Sequence, residues 1–328
     1  MRIVYLDSYA ANPGDIDWKP WQGITDAEGR PVEFVAYERT APEETIGRAM
    51  GAEMLLTNKV VINAEVMDAL PELRYVGVMA TGFNVVDTAH AAGRGIVVTN
   101  IPAYSTDSVA QMAMAHLLNI ALHVGQHSES VTSGRWQASR DFCYWESPLI
   151  ELKGLLMGIV GLGHTGMATA RIALGMGMRV TAWSSKEEEA LGALGIAKAA
   201  SLEELFASAD VVSLHCPLTP ETHHLVCAQR LRLMKPSAII INTGRGPLID
   251  EQALADALNE GHLYAAGLDV LEQEPPREGS PLIGARNCYI TPHIAWASLA
   301  ARRRLMDIAL GNVEAFLRGE PRNVVNNL

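Results

Sequence analysis

Short runs of β-branched and apolar residues alternate with longer helical stretches along almost the whole chain, the pattern of parallel strands joined by crossover helices. In the first third the runs are Ile3–Leu6, Val32–Tyr37, Met54–Thr57, Tyr75–Met79 and Ile96–Thr99, with helices expected near Pro42–Met50 and Val85–Gly93. They predict one small doubly wound sheet. A helical stretch over 107–124 and an irregular, aromatic-rich segment over 125–150 precede a second strand set: Leu155–Gly161, Arg179–Ser184, Val211–His215, Ala238–Asn242, Ala265–Val270 and Cys288–Ile290. A last helix, roughly Ser298 to Leu317, carries Leu305, Ile308, Ala309, Val313 and Phe316 near helical spacing and can pack back on the first domain.

Length changes this picture little: 328 residues suit two cores better than one. Charge narrows the partners. With 26 Lys and Arg against 37 Asp and Glu, a net charge of -11 repels polyanions and argues against nucleic acid. The longest apolar stretch, Val109 to Val124, is interrupted by Gln111, His116, Asn119 and His123, too polar for a membrane span. Cys143, Cys216, Cys227 and Cys288 form no Cys-x-x-Cys pair, which points to a reducing cytoplasm. The start turns polar too soon for a secretory signal and reads as a strand.

Leu155–Val160 runs straight into Gly161-Leu162-Gly163-His164-Thr165-Gly166 and an Ala-rich helix. In a strand–loop–helix context the first glycine permits the turn, the second lets backbone approach a pyrophosphate, and the third lets helix pack on strand. The alternative is a glycine-rich packing turn without a ligand. The following strand ends at Ser184-Ser185-Lys186, where an NAD-specific protein would place a ribose-binding acid. Two hydroxyls and an ammonium can instead receive a 2′-phosphate, so NADP is expected to be at least tolerated beside NAD, unless the segment is only a solvated turn.

In an open α/β sheet ligands lie beyond the carboxyl ends of the strands. Those ends read Gly161–Gly163, Ser184–Lys186, His215-Cys216-Pro217, Thr243-Gly244-Arg245-Gly246, Asp269 and Pro292-His293. Arg245, flanked by glycines, offers the two-pronged donor that suits a carboxylate, if it is not simply a surface arginine. His293 alone would be read as structural, but Glu274 lies on the preceding strand's exit loop, where a carboxylate can orient an imidazole as acid/base. Glu272 competes for that role.

These residues resemble the D-2-hydroxyacid dehydrogenase family over nearly the whole chain, and within it the glycerate dehydrogenases, or hydroxypyruvate reductases. The most specific pieces are Ala80–Asn84, Gly161–Gly166, His215–Thr219, Asn242–Gly246, Gly267–Val270 with Glu274–Pro276, and Thr291–His293. The resemblance implies two doubly wound α/β domains with parallel sheets: a flavodoxin-like substrate domain from 1–101 and 295–328, and a Rossmann cofactor domain over 102–294. It makes Arg245, Glu274 and His293 catalytic, and gives Ala80, Thr81, Gly82 and Phe83 the look of the substrate-carboxylate loop. Thr106, Thr165, Pro217, Thr222, Thr243 and Asp269 match cofactor contacts, beside Gly161, Gly163, His164, Gly166, Ser184, Ser185, Lys186, His215 and Gly244. Family members are commonly dimers. The lack of an acid at Ser184 departs from the NAD-preferring members. Formate dehydrogenases place glutamine where this chain has Glu274, and many phosphoglycerate dehydrogenases carry a further regulatory domain.

The aromatics around Gly134-Arg135-Trp136 and Asp141–Trp145 have no obvious core of their own, so 125–150 is expected at a homodimer interface, with Trp145 reaching toward the partner's site; packing within one subunit is the alternative. Trp296 is expected to wall the nicotinamide or substrate pocket, or else to pack as an ordinary helix residue. His90, His116, His123, His127, His223 and His224 sit at no recognisable metal spacing, and no metal is expected. The expected activity is reduction of hydroxypyruvate or glyoxylate by NAD(P)H, with hydride from the nicotinamide and the proton from His293. A catalytically weak NAD(P)-sensing regulator on the same fold is the other reading.

Overall fold

The computed structural model describes residues 1–326. The chain divides into two compact units, one formed by Met1–Ser105 with the chain from Ala297 onward, the other by Thr106–Trp296. The boundaries expected after 101 and before 295 therefore lie four and two residues short of the observed divisions.

In the first unit β1 (Arg2–Tyr5), β2 (Glu33–Ala36), β3 (Met54–Thr57), β4 (Tyr75–Val78) and β5 (Val97–Thr99) form a parallel sheet in the order β2-β1-β3-β4-β5. This is the flavodoxin-like order, whose switch point lies between β1 and β3. That position holds an anion of the chain's own: Asp7 accepts the amides of Asn58 at 2.7 Å, Lys59 at 2.6 Å and Val60 at 3.2 Å. The helix Leu299–Leu317 packs on β4, with the Tyr75 and Phe316 rings 4.9 Å apart. Asn312 Nδ2 donates to the Asn100 carbonyl at 3.0 Å, so both chain ends build one core.

The second unit is a seven-stranded parallel sheet of β6 (Leu156–Val160), β7 (Arg179–Trp183), β8 (Ile196–Lys198), β9 (Val211–Leu214), β10 (Ile239–Asn242), β11 (Ala265–Leu268) and β12 (Cys288–Ile290). Its order is β12-β11-β10-β9-β6-β7-β8. The central strands β6, β9, β10 and β11 are apolar and buried almost throughout, as a sheet covered on both sides requires. Ile239 and Ile241 join the core beneath the helix Thr106–Leu122, while Ile240 joins the opposite core. The chain runs from β6 outward to β8 and then crosses to β9, so the switch point lies at the β6/β9 ends.

Besides the short helices Lys19–Gln22 and Ala64–Asp68, two elements of the second unit depart from the sequence pattern. Ile196–Lys198 is an edge strand too short to stand out beside its glycine-rich neighbours. Within the segment expected to be irregular, Val124–Thr132 is helical, set off from the preceding helix by left-handed His123. Its polar sequence gives no apolar stripe. Among the described residues no helix is long and apolar enough to cross a membrane.

Candidate active site

At the switch point Gly161 turns with φ +90°, and a Cβ there would stand 2.6 Å from the Cys216 nitrogen. A Cβ on Gly166 would stand 2.2 Å from the Gly161 carbonyl oxygen. Both overlap backbone, so both positions require glycine. Gly163 is different: nothing lies within 4 Å of a Cβ built there, and it precedes the helix His164–Gly175 without a side-chain cap. Open space over Gly163 and the amides of the first turn fit a pyrophosphate. His164 is exposed and Thr165 half-buried at that turn.

Beside it, the His215 amide donates to the Val160 carbonyl at 2.8 Å, extending the β6/β9 register past the strand ends. The His215 ring meets Ser213 Oγ at 2.8 Å, and burial pushes its pKa down to about 4, so the imidazole is neutral at pH 7. Thr222 Oγ1 donates to the Pro217 carbonyl and accepts the Thr219 amide, closing the turn after β9. At the end of β7, Ser184 Oγ accepts the Lys186 amide at 3.2 Å, with Ser185 and Lys186 exposed. No carboxylate stands at 184–186.

Asn242 braces the turn after β10, donating to the Arg245 carbonyl at 2.9 Å and accepting the Gly244 amide at 3.0 Å. Thr243, 7% exposed, has no hydrogen-bond partner for Oγ1 among the described residues. A buried hydroxyl left alone costs about 1–3 kcal/mol, which a polar ligand group at the strand end would offset. Arg245 projects into solvent, with one guanidinium nitrogen 2.8 Å from the Gly244 carbonyl. The next residue, Gly246, lies so close to the loop after β11 that a Cβ would meet the Leu271 carbonyl oxygen at 1.9 Å and the Glu272 nitrogen at 2.4 Å.

That loop carries a carboxylate that meets a histidine. His293 Nδ1 and Glu274 Oε2 are 2.5 Å apart, and Glu274 Oε1 accepts the Leu271 amide at 2.9 Å. His293 itself has φ +53°, a conformation held by its amide bond to the Asp269 carbonyl at 2.8 Å. Glu272 faces away toward His224, at 3.2 Å, so Glu274 is the carboxylate that meets His293. Asp269 is 1% exposed, and its carboxylate accepts Thr291 Oγ1, the Ile294 amide and the Ala295 amide, fixing the His293 segment. His116 adds a bond to Thr291 at 3.0 Å, and burial lowers its pKa, though nearby Asp269 opposes the shift. The His116 brace leaves no local signal in the sequence, because His116 lies 175 residues from Thr291. Trp296 Nε1 donates to the His293 carbonyl at 2.9 Å, which ties the half-buried indole to the histidine's own turn. A cavity of about 500 Å³ opens behind the pair, lined by Leu271, Glu274, Cys288, Thr291 and His293 among others.

In the first unit, Ala80–Phe83 leaves the end of β4. The Ala80 carbonyl accepts the Ile101 amide at 3.0 Å and Thr81 Oγ1 donates to the Ile101 carbonyl at 2.8 Å. Among the described residues the amides of Thr81, Gly82 and Phe83 make no hydrogen bond, a run of donors suited to an anion. Thr106 opens the helix Thr106–Leu122 of the second unit.

The 125–150 segment is held together by polar bonds: Ser130 to Tyr144 and Glu146, Arg135 to Glu146, and Trp136 Nε1 to the Phe142 carbonyl. Three of its four aromatics face outward, with Phe142 88%, Trp145 66% and Trp136 52% exposed, while Tyr144 is half-buried. They do not form a core within the chain.

Residues 114–295, which include the whole glycine loop and the His293–Glu274 pair, match the model of the D-isomer specific 2-hydroxyacid dehydrogenase NAD binding domain. The chain belongs to the D-2-hydroxyacid dehydrogenase family. It is 48% identical to a hydroxypyruvate reductase of Blautia hydrogenotrophica, over 99% of this chain and 100% of the relative. A glycerate dehydrogenase of Methylorubrum extorquens is 40% identical, over 90% of this chain and 92% of that one. Among solved structures, an NADPH-dependent glyoxylate/hydroxypyruvate reductase of Sinorhizobium meliloti, in complex with NADP and malonate, matches with a TM-score of 0.80 and 30% identity, covering 99% of this chain and 96% of that one. The chain is thus a hydride-transferring 2-hydroxyacid oxidoreductase of this family.

Proposed function

We propose that the enzyme reduces hydroxypyruvate or glyoxylate to the corresponding D-2-hydroxy acid, with Arg245 holding the substrate and His293 passing the proton. The observation that carries this reading is the His293–Glu274 contact at 2.5 Å on a loop whose backbone is wedged against the Arg245 turn. Glu274 accepts a hydrogen bond from Nδ1–H, which leaves the Nε2 proton for the substrate carbonyl oxygen. The guanidinium of Arg245 can bind a 2-keto acid through two parallel hydrogen bonds. Ala80, Thr81, Gly82 and Phe83, with their unengaged amides, are assigned to carboxylate binding. In the oxidative direction neutral His293 takes the proton back.

Gly161, Gly163 and Gly166 would hold the pyrophosphate of the nicotinamide cofactor, and Thr243 Oγ1 is the buried donor left for it. The bound nicotinamide supplies the hydride. His164, Thr165, His215, Pro217, Thr222, Gly244 and Thr106 are assigned to the same cofactor, and Asp269 to fixing the loop that faces it. Ser184, Ser185 and Lys186 leave room and positive charge for a 2′-phosphate, so NADPH is accepted as well as NADH. Trp296 is assigned to the wall of the substrate pocket.

We assign the outward aromatics of 125–150 to a homodimer interface. A cytoplasmic enzyme fits the four free cysteines. Sedimentation at micromolar concentration checks the first point, and a monomer would remove it. A steady-state panel crossing glyoxylate, hydroxypyruvate, pyruvate and phosphohydroxypyruvate with both cofactors tests the activity. Turnover is expected to be highest with hydroxypyruvate or glyoxylate, and cofactor binding without oxidation by any of the four acids would defeat the proposal.

A further inference from the structure

The loop that gives Glu274 to His293 gives Glu272, two residues earlier, to a second histidine. His224 Nε2 lies 3.2 Å from Glu272 Oε1, and the His223 ring stacks on that of His224 with centroids 4.0 Å apart. Neighbouring side chains in extended backbone point to opposite sides. Here His224 has φ +49°, a left-handed conformation uncommon outside glycine, and both imidazoles turn to one side. One ligand atom from each of His223, His224 and Glu272 lies within 4.8 Å of the others. An ion pair between His224 and Glu272 accounts for two of the three groups but not for the exposed His223 ring stacked beside them.

The three groups stand on backbone that is fixed. The His223 amide donates to the Thr219 carbonyl at 3.0 Å and the His224 amide to the Pro247 carbonyl at 2.8 Å. Glu272 donates its amide to Glu251 Oε1 at 2.7 Å. The side chains remain partly exposed, so small rotations can bring their ligand atoms to the ~3.3 Å separation that a tetrahedral ion with bonds near 2 Å demands. Two imidazoles and a carboxylate suit zinc, copper or nickel, not magnesium or calcium, and leave a fourth position for water.

We propose that His223, His224 and Glu272 form a zinc-class metal site that clamps the 223–224 turn to the loop carrying Glu274. The ion would tie together segments that adjoin Pro247 and Gly246, and so stiffen the scaffold of the Arg245 turn.

The test uses the full chain without a histidine tag, titrated with Zn²⁺ in competition with a chromogenic zinc indicator and without substrate. Its outcome is therefore separate from that of the hydride-transfer reading. One equivalent per chain with micromolar affinity is expected, undisturbed by millimolar Mg²⁺. His223→Ala, His224→Ala and Glu272→Gln should each weaken binding by about tenfold or more, whereas Cys143→Ser, at the exposed thiol, should not. Zn²⁺ should raise the Tm of the wild type but not that of Glu272→Gln, a variant that keeps the backbone at His224 unchanged. Absence of a stoichiometric site, or full affinity retained in either His224→Ala or Glu272→Gln, would overturn the proposal.

Discussion

A Cβ on Gly246 would stand 1.9 Å from the carbonyl oxygen of Leu271, so the turn bearing Arg245 and the loop bearing Glu274 meet backbone to backbone. No rotamer can relieve such an overlap. Gly246→Ala must push the two segments apart, at a cost of about 1–3 kcal/mol typical of overpacking. We expect a lower Tm together with a fall in turnover larger than the stability loss accounts for. Thermal unfolding and kcat measured on the same preparation check this, and normal values for both would show that the wedge does not set the site.

His293→Ala should lower kcat by ~10²–10⁴, the usual share of a positioned proton donor, while cofactor affinity read by fluorescence stays near that of the wild type. Glu274→Gln should lose less, because the amide still orients the ring. Near-normal turnover in His293→Ala would remove the proton-transfer assignment.

Arg245→Lys keeps the charge but replaces a planar fork with a point donor. The expected loss in kcat/KM is on the order of ten- to a hundredfold, with Tm unchanged because the side chain projects into solvent. An unaffected kcat/KM would place substrate binding elsewhere.

Ser184→Asp places a carboxylate where the chain has none. It should repel a 2′-phosphate and lower kcat/KM for NADPH by roughly tenfold or more relative to NADH. In the wild type, a preference for NADH beyond about a hundredfold would defeat the reading of Ser184–Lys186 as a phosphate-tolerant end.

Features with a local signal are legible in the sequence, and features built from distant contacts are not. Parallel strands buried on both faces spell themselves out in runs such as Ile239–Ile241, and the glycine loop is contiguous with β6. The edge strand Ile196–Lys198, three residues long, lacks such a run. The strand ends themselves were legible, and the fold class makes them candidates for ligand binding, but contacts across the chain were not legible. Glu272 and Glu274 were both candidates for His293, and only the loop's path sends one to His293 and the other to His224, 48 residues away. Asp269, matched to a cofactor contact, spends its carboxylate on Thr291, Ile294 and Ala295, a role that needs coordinates to be seen.

His215, at the end of β9, ties stability to acid. Its folded pKa, about 4, lies below the ordinary 6.5 because burial penalises the charged ring. Between these values the unfolded chain binds more protons than the folded one, so stability rises with pH across that window. The contribution is complete above 6.5 and is lost progressively as pH falls toward 4, amounting to about 2 kcal/mol at pH 5 and about 3 kcal/mol in all. His215→Gln, which cannot charge, should flatten this slope. Urea unfolding of both proteins at pH 7.5 and pH 5 measures it: the wild type should lose about 2 kcal/mol more than the variant on acidification. Parallel losses in the two proteins would mean that His215 is solvated and charges freely in the folded state.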